Sequence, residues 1–284
     1  WHLNILEVSY NTDQKSLLGR GGFGSVYQGE WNGLVVAVKV MNADLAQNTS
    51  DEANMKVREP LASLRHSHIL PFYGACFAAT QPFIISKLCH YGNVRQFLRK
   101  FPESDRVTMV WKELTVRKLH QIALGMAYLH GENVIHCDLK ADNILIDESK
   151  TAMVADFGVA LIQDIMSKSA ATLSGNSKNG NGTLRWMAPE RFEGQPVQKS
   201  SDIYSFAVTA WELYSGGEIP FSAFSDSVVV SRVLDCESRP SRPVLLQSDD
   251  LWRIITACWL QDPKGRPTFV DVHMMLKKVS VEGM

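Results

Sequence analysis

Asn32-Gly33 stands between two strand-like runs, Ser25–Trp31 and Val35–Val40. A two-residue linker of this type is a strong signal for a tight antiparallel hairpin. The second run, Val35-Val36-Ala37-Val38-Lys39-Val40, is β-branched almost throughout, as a largely buried strand requires. The hairpin follows directly on Gly19-Arg20-Gly21-Gly22-Phe23-Gly24. A glycine cluster that opens a hairpin lacks the helix that a dinucleotide-binding βαβ unit places there. The amino-terminal part is therefore expected to be an antiparallel sheet.

Farther on, Ile69–Ser86 carries no charge, but Pro71, Gly74, Pro82 and the polar Thr80 and Gln81 break it. Two strands joined by a turn explain this stretch better than a membrane span. Ser50–Arg65 reads as a helix with Ser50 as cap and Asp51 and Glu52 in the first turn, although Pro60 distorts it. Leu119, Ile122, Ala123, Met126 and Ala127 recur at helical spacing, with Gly131 as the stop. Ile203–Tyr214 predicts an apolar helix that starts near Asp202 and ends at Gly216-Gly217. Trp252, Ile255 and Trp259 mark one face of another. Ser167–Thr183, rich in Ser, Gly, Asn and Lys, is expected to be mobile. Strands first and helices after give an α+β fold: a small sheet lobe and a larger helical lobe.

Composition narrows the function. With 29 basic against 30 acidic residues, the 284-residue chain is not built to coat nucleic acid or an anionic membrane. The five cysteines, Cys76, Cys89, Cys137, Cys236 and Cys258, form no C-x-x-C pair, so a reducing, cytoplasmic setting without disulfides is expected. No signal peptide is visible, and the start at Trp1 suggests a fragment or processed form.

Gly19–Gly24 fits G-x-G-x-x-G, either as an ordinary glycine turn or as a loop whose N–H groups approach phosphate. Lys39 ends the strand that follows, where an ammonium can reach back under such a loop. His136-Cys137-Asp138-Leu139-Lys140-Ala141-Asp142-Asn143 is followed by Asp156-Phe157-Gly158. Asn143 and Asp156 can supply hard oxygen ligands to Mg²⁺. Asp138 can hold a hydroxyl in line, and Lys140 can neutralise a transferred phosphoryl group. Any one of these residues alone reads as a loop polar residue, but the four blocks in this order do not arise by chance.

From Leu17 to Leu276 the chain resembles a eukaryotic protein kinase domain. Ala188-Pro189-Glu190 resembles the motif that closes the activation segment, and Arg266 the late arginine that pairs with its glutamate. Asp202–Phe206 resembles the buried helix start under the catalytic loop. Cys258-Trp259 with Asp262-Pro263 is similar to tyrosine kinases and the tyrosine-kinase-like group. Lys140 and Thr183 resemble serine/threonine enzymes, whose threonine touches the catalytic aspartate, with dual specificity as the neighbouring possibility.

The resemblance implies a bilobal fold over residues 12–281, with an N-lobe at 12–88 holding one helix, a C-lobe at 89–281, and an activation segment at 156–190. It implies ATP and Mg²⁺ as cofactors, a protein substrate with a Ser or Thr acceptor, and a monomeric domain. Leu18, Gly19, Arg20, Gly21, Gly22, Phe23, Gly24, Ser25 and Val26 would cover the nucleotide. Ala37 would lie above the adenine and Leu145 below, with Ser86 as a small gatekeeper and the Leu88 and Cys89 backbones on the adenine edge.

Two positions depart from the family. Cys137 replaces the arginine that engages a phosphate on the activation segment. Ungapped counting from His66-Ser67-His68 puts Val57 where a helix glutamate should pair with Lys39; Glu59 is the nearest substitute and Glu52 a more distant one. If neither pairs with Lys39, the chain reads instead as a pseudokinase, a nucleotide-binding or scaffolding module.

Overall fold

The computed structural model describes residues 3, 5–21, 24–42, 63–76, 81–102, 104–105, 109–157 and 183–282. The helix expected over Ser50–Arg65, with Glu52, Val57, Glu59 and Pro60, lies almost wholly outside these residues. So do Gly22, Phe23 and the Ser167–Thr183 segment up to its last residue.

The first part is an antiparallel sheet of β1 (Val8–Tyr10), β2 (Leu17–Gly21), β3 (Gly24–Trp31), β4 (Leu34–Met41), β5 (Phe72–Cys76) and β6 (Phe83–Lys87). Its order is β1-β3-β4-β6-β5, and β2 shares the outer edge of β3 with β1. Trp31 pairs with Leu34, so Asn32-Gly33 is the two-residue turn that its chemistry demands. Both residues take positive φ, 49° and 79°, which matches the right-handed twist of the flanking strands. Ile69–Ser86 divides into β5 and β6, as expected.

Side chains alternate across a strand, and here the alternation sorts core from site. Val36, Val38 and Val40 pack with Tyr27, Phe83 and Ile85 into one core. Ala37 and Lys39 therefore lie on the opposite face. The register sets Val26 opposite Lys39, and Ser86 opposite Ala37, on that same face. Gly24 must be glycine for a packing reason: its φ is 150°, and a Cβ there would lie 2.0 Å from the Val40 carbonyl oxygen.

The second part is mainly helical. Its helices are α1 (Val94–Arg99), α2 (Met109–Gly131), α3 (Pro189–Phe192), α4 (Lys199–Tyr214), α5 (Asp226–Leu234), α6 (Asp249–Cys258) and α7 (Phe269–Glu282). A hairpin of β7 (Ile144–Ile146) and β8 (Ala152–Val154) lies among them. Asn93 and Gln96 close a reciprocal capping box at the start of α1. α2 ends at Gly131 and α4 ends before Gly216-Gly217, as the sequence predicts, and Gly216 and Gly217 have positive φ.

α4 starts at Lys199, ahead of the expected Asp202. The reason is that Asp202 does not cap its own helix: its carboxylate is fully buried and serves a neighbouring loop. Trp252 and Trp259 meet edge to face with ring centroids 5.5 Å apart, as their shared face implies. Leu64 and Ile69, which lead into the sheet, belong to the helical core rather than the sheet core. Among the described residues, no helix is long and apolar enough to cross a membrane.

Candidate active site

The loop after Val134-Ile135 is held from below by Asp202. Its carboxylate accepts the backbone N–H groups of His136 (2.8 Å) and Cys137 (2.9 Å), and lies 2.8 Å from His130 Nε2. Cys137 takes φ 66° here, a left-handed conformation unusual for a residue with a Cβ. The fold thus grips this position through the backbone, independently of its side chain. His136 Nδ1 accepts the Asp138 N–H at 3.2 Å, so its Nε2 carries the proton donated to the Ala155 carbonyl at 2.9 Å. One ring thereby ties Asp138 to the residue before Asp156.

Asp138 is gripped twice more. Lys140 Nζ donates to its carboxylate at 2.9 Å, and Asn143 Nδ2 donates to Oδ2 at 2.8 Å and to its carbonyl at 2.7 Å. Lys140 also donates to Thr183 Oγ1 at 2.8 Å. Thr183 therefore meets Asp138 through Lys140, not by the direct touch that the family pattern implies. An ammonium with three donors fits between the two oxygens. The Asn143 carbonyl accepts the Ala155 N–H at 2.8 Å, which closes the loop onto the end of β8.

Asp156 has φ 62° and Phe157 is buried, so the backbone turns to direct one side chain outward and the other into the core. Lys39 Nζ donates to Asp156 Oδ1 at 2.6 Å, joining the sheet to the helical part. Burial pushes the Asp156 carboxyl up. The adjacent Lys39 ammonium and its hydrogen bond, with His136 and Lys140 beyond, outweigh burial and hold it below its ordinary value. The side chain is 38% exposed, so it remains open to a ligand. Asn143 commits its amide nitrogen to Asp138, and its oxygen is not used in those bonds. Asn143 and Asp156 are thus the residues that would hold a Mg²⁺ ion through hard oxygen donors.

The expected nucleotide-covering residues divide by face. Val26, Ala37 and Ser86 share the face of Lys39, while Leu18 and Ser25 lie on the glycine hairpin. Open space surrounds the Cα atoms of Gly19 and Gly21, whereas Gly24 is packed tightly. Arg20 pairs with Ser25 across that hairpin. Leu145 lies between the fully buried Ile144 and Ile146, and so on the other face of β7. Leu88 and Cys89 link β6 to the helical part, where Gly92 N–H donates to the Cys89 carbonyl. Burial pushes the Cys89 thiol up to about 12. Glu59, expected beside Lys39, lies outside the described residues.

Two supports were not foreseen. Glu212, fully buried in α4, accepts Trp186 Nε1 at 3.0 Å, the Ala141 N–H at 3.1 Å and Arg95 Nε at 2.9 Å, with a further bond from Arg95 Nη2. It joins α1, the loop at Asp138–Asn143 and the segment after Thr183. Arg185 donates to the carbonyls of Pro220, Phe221 and Phe224 and to Asp226. A charge inside the apolar run Trp211-Glu212-Leu213 was the available signal, because a buried carboxylate needs partners. The pairing of Arg266 with Glu190 is present, with two 2.8 Å bonds between buried groups.

Residues 12–276 match the model of a family described as protein tyrosine and serine/threonine kinase. The serine/threonine-protein kinase STY17 of Arabidopsis thaliana is 31% identical over 91% of this chain. The dual specificity protein kinase shkB of Dictyostelium discoideum is 33% identical over 100% of it. Protein-tyrosine kinase 6 of Mus musculus is 35% identical over 90%. The chain spans 43%, 42% and 53% of the length of these curated relatives. Its antiparallel sheet, mainly helical second part and matched family model agree: the chain belongs to the protein tyrosine and serine/threonine kinase family and has the kinase fold.

Proposed function

We propose that residues 12–281 form an active serine/threonine kinase domain of the tyrosine-kinase-like group, which transfers the γ-phosphoryl group of ATP to a protein hydroxyl. The observation that carries this reading is the Asp138 carboxylate held jointly by Lys140 and Asn143, with Lys140 also on Thr183. That arrangement aims one carboxylate oxygen pair at a fixed point and supplies a cation beside it. The names of two relatives, a serine/threonine and a dual specificity kinase, point the same way.

Bound ATP with Mg²⁺ would supply the phosphoryl group and neutralise much of its charge. Residues 12–88 form the N-lobe in this reading, 89–281 the C-lobe and 156–190 the activation segment. Lys39 pairs with the phosphates, and Glu59 is its proposed carboxylate partner. Gly19 to Ser25 cover the phosphates, while Leu18, Val26, Ala37, Ser86, Leu88, Cys89 and Leu145 enclose the base. Asn143 and Asp156 hold the metal. Asp138 orients the acceptor hydroxyl, and Lys140 stabilises charge on the transferred group. The loose transition state needs little covalent help, so positioning and charge do most of the work.

The test is ATP-dependent labelling of a generic basic protein with Mg²⁺, wild type against Asp138→Ala. Transfer is expected to fall by roughly 10³-fold or more. Equal transfer by both proteins would overturn the enzyme reading in favour of a nucleotide-binding pseudokinase.

A further inference from the structure

Among the described residues, two lysines carry ion pairs from the sheet to the helical part. Lys39 meets Asp156. Lys87, the last residue of β6, donates to Asp147 Oδ2 at 2.9 Å and lies 3.1 Å from Glu148 Oε1. In register, Lys87 pairs with Val36 and Ser86 with Ala37. Side chains alternate along a strand, so Lys87 leaves β6 on the face opposite to Ser86 and Lys39. The two lysines thus tie the sheet to the helical part from opposite faces.

The anchor that Lys87 meets is rigid. Asp147 Oδ1 accepts the N–H groups of Ser149 at 3.0 Å and Thr151 at 2.8 Å, which shapes the turn between β7 and β8. That turn is fastened to α2 by the fully buried Lys118. Its Nζ donates to the Lys150 carbonyl and, at 3.1 Å, to Gln121 Oε1, which also accepts the Ala152 N–H at 3.0 Å. Past Lys87 the chain is anchored again. The Tyr91 N–H donates to the Ile146 carbonyl at 3.2 Å, and the Ile146 N–H to the Gly92 carbonyl at 2.9 Å. Leu88, Cys89 and His90 therefore bridge two attachments to residues 146–147, a backbone pair at one end and a side-chain ion pair at the other.

We propose that the Lys87–Asp147 pair is a clasp across this connector and that Lys87 is a positioning residue for ATP: closed, the clasp fixes the Leu88 and Cys89 backbones at the base edge and the spacing between the sheet and Leu145. The clasp rests on the nucleotide site proposed above and deepens it. Lys87 stands between Ser86 and Leu88, and Asp147 two residues after Leu145, so a shift of the pair moves both walls of that site. Both partners are held in their charged forms. Burial pushes the Asp147 carboxyl up, but the Lys87 hydrogen bond, with the Thr151 amide, holds it below its ordinary value. Burial pushes the Lys87 ammonium down, but its bonds to Asp147 and Glu148 outweigh that and hold it above. Without the clasp the connector opens, and the apparent affinity for the base falls in proportion to the fraction of molecules still closed.

The test is binding, by NMR titration, of ATP with Mg²⁺ and of adenosine, which has no phosphates. The proteins are wild type, Lys87→Met, Asp147→Asn, the double variant and Lys87→Arg. Each single neutralisation is expected to raise both dissociation constants at least about fivefold, the lower end of ordinary coupling between sites. The double variant should lose no more than the worse single, since both break one contact. Lys87→Arg, which keeps the charge, should stay within about twofold, and kcat at saturating ATP within about twofold throughout. Unchanged dissociation constants, with or without a lowered Tm, would make the pair merely structural and overturn the clasp. So would losses that multiply in the double variant, or a loss for ATP but not adenosine, which reads as charge acting on the phosphates. Adenosine binding too weak to detect in a wild type that holds ATP overturns it too, because the base would then not be what the connector positions. A wild type that binds neither ligand overturns the nucleotide site and the clasp together, whereas binding that every variant shares overturns the clasp alone. Should Lys87→Met not fold, Asp147→Asn decides by the same measure, because Asn keeps the Oδ1 acceptor for Ser149 and Thr151.

Discussion

Arg266→Met is expected to destabilise the domain more than any substitution of an exposed residue. The Arg266 guanidinium is fully buried and bonds both Glu190 oxygens at 2.8 Å, the Ser200 carbonyl at 2.9 Å and the Leu260 carbonyl at 2.9 Å. Met keeps the apolar stem and removes every donor. Glu190 would then retain only the Ser201 hydroxyl at 2.9 Å as a side-chain donor. Removing one partner of a buried ion pair costs about 3–5 kcal/mol, because the other charge is left uncompensated. Against a total stability of roughly 5–15 kcal/mol, that is a large fraction. It corresponds to a Tm lower by roughly 5–9 °C for a domain of this size.

The same pair predicts a pH dependence. Burial pushes the Glu190 carboxyl up, but the bond and charge of Arg266 hold it below its ordinary value. Its contribution is therefore present above the unfolded carboxylate value and is lost as pH falls through the lower folded one. Thermal unfolding at pH 7 and in steps down to pH 3 reads both effects. The gap between wild type and variant should narrow on acidification, and adding Glu190→Gln should recover part of the loss. A Tm within 2 °C of wild type at pH 7, on the order of 1 kcal/mol or less, would refute the argument. So would a gap that widens in acid.

Three further outcomes are expected. Lys140→Ala should lower kcat by about 10²–10³-fold with little change in KM for ATP, since Lys140 bridges Asp138 and Thr183; steady-state kinetics check this, and a loss under fivefold would contradict it. Phosphatase treatment should change activity by less than about tenfold, because Cys137 provides no guanidinium for a phosphate within 156–190; a larger drop counts against it. Alkylation at pH 8 followed by mass spectrometry should modify the exposed Cys236 first. Cys258, pushed up by burial, should react only on unfolding, and prompt labelling there would refute the packing described.

Much of the fold was legible because its signals are local. Asn32-Gly33 needs positive φ at two successive residues, and few other pairs tolerate that. The strand of Val35–Val40 and the helix stops at Gly131 and Gly216-Gly217 follow from the same kind of chemistry. Motif spacing brought Lys39, Asp138, Lys140, Asn143 and Asp156 into one candidate site, and the structure brings Lys39 to Asp156 and Lys140 and Asn143 to Asp138. Sequence could not show how Thr183 reaches Asp138, since the distance is set by where Lys140 settles between them.

Asp202 shows where local reasoning fails. The apolar pattern alone puts the helix start near Asp202, yet Asp202 lies one turn inside α4 and serves the loop at His136 and Cys137. Glu212 and Arg185 were passed over for the same reason: their partners lie 26 to 117 residues away for Glu212 and 35 to 41 for Arg185. Residue chemistry at short range settled which elements form, where the tight hairpin turns, and which groups are able to meet a phosphate. Packing settled which carboxylates are spent on structure and which stay open to a ligand, because a buried charge takes whatever donors the folded chain brings to it. Asp202 and Glu212 are spent in that way, whereas Asp156 is held by Lys39 yet stays 38% exposed.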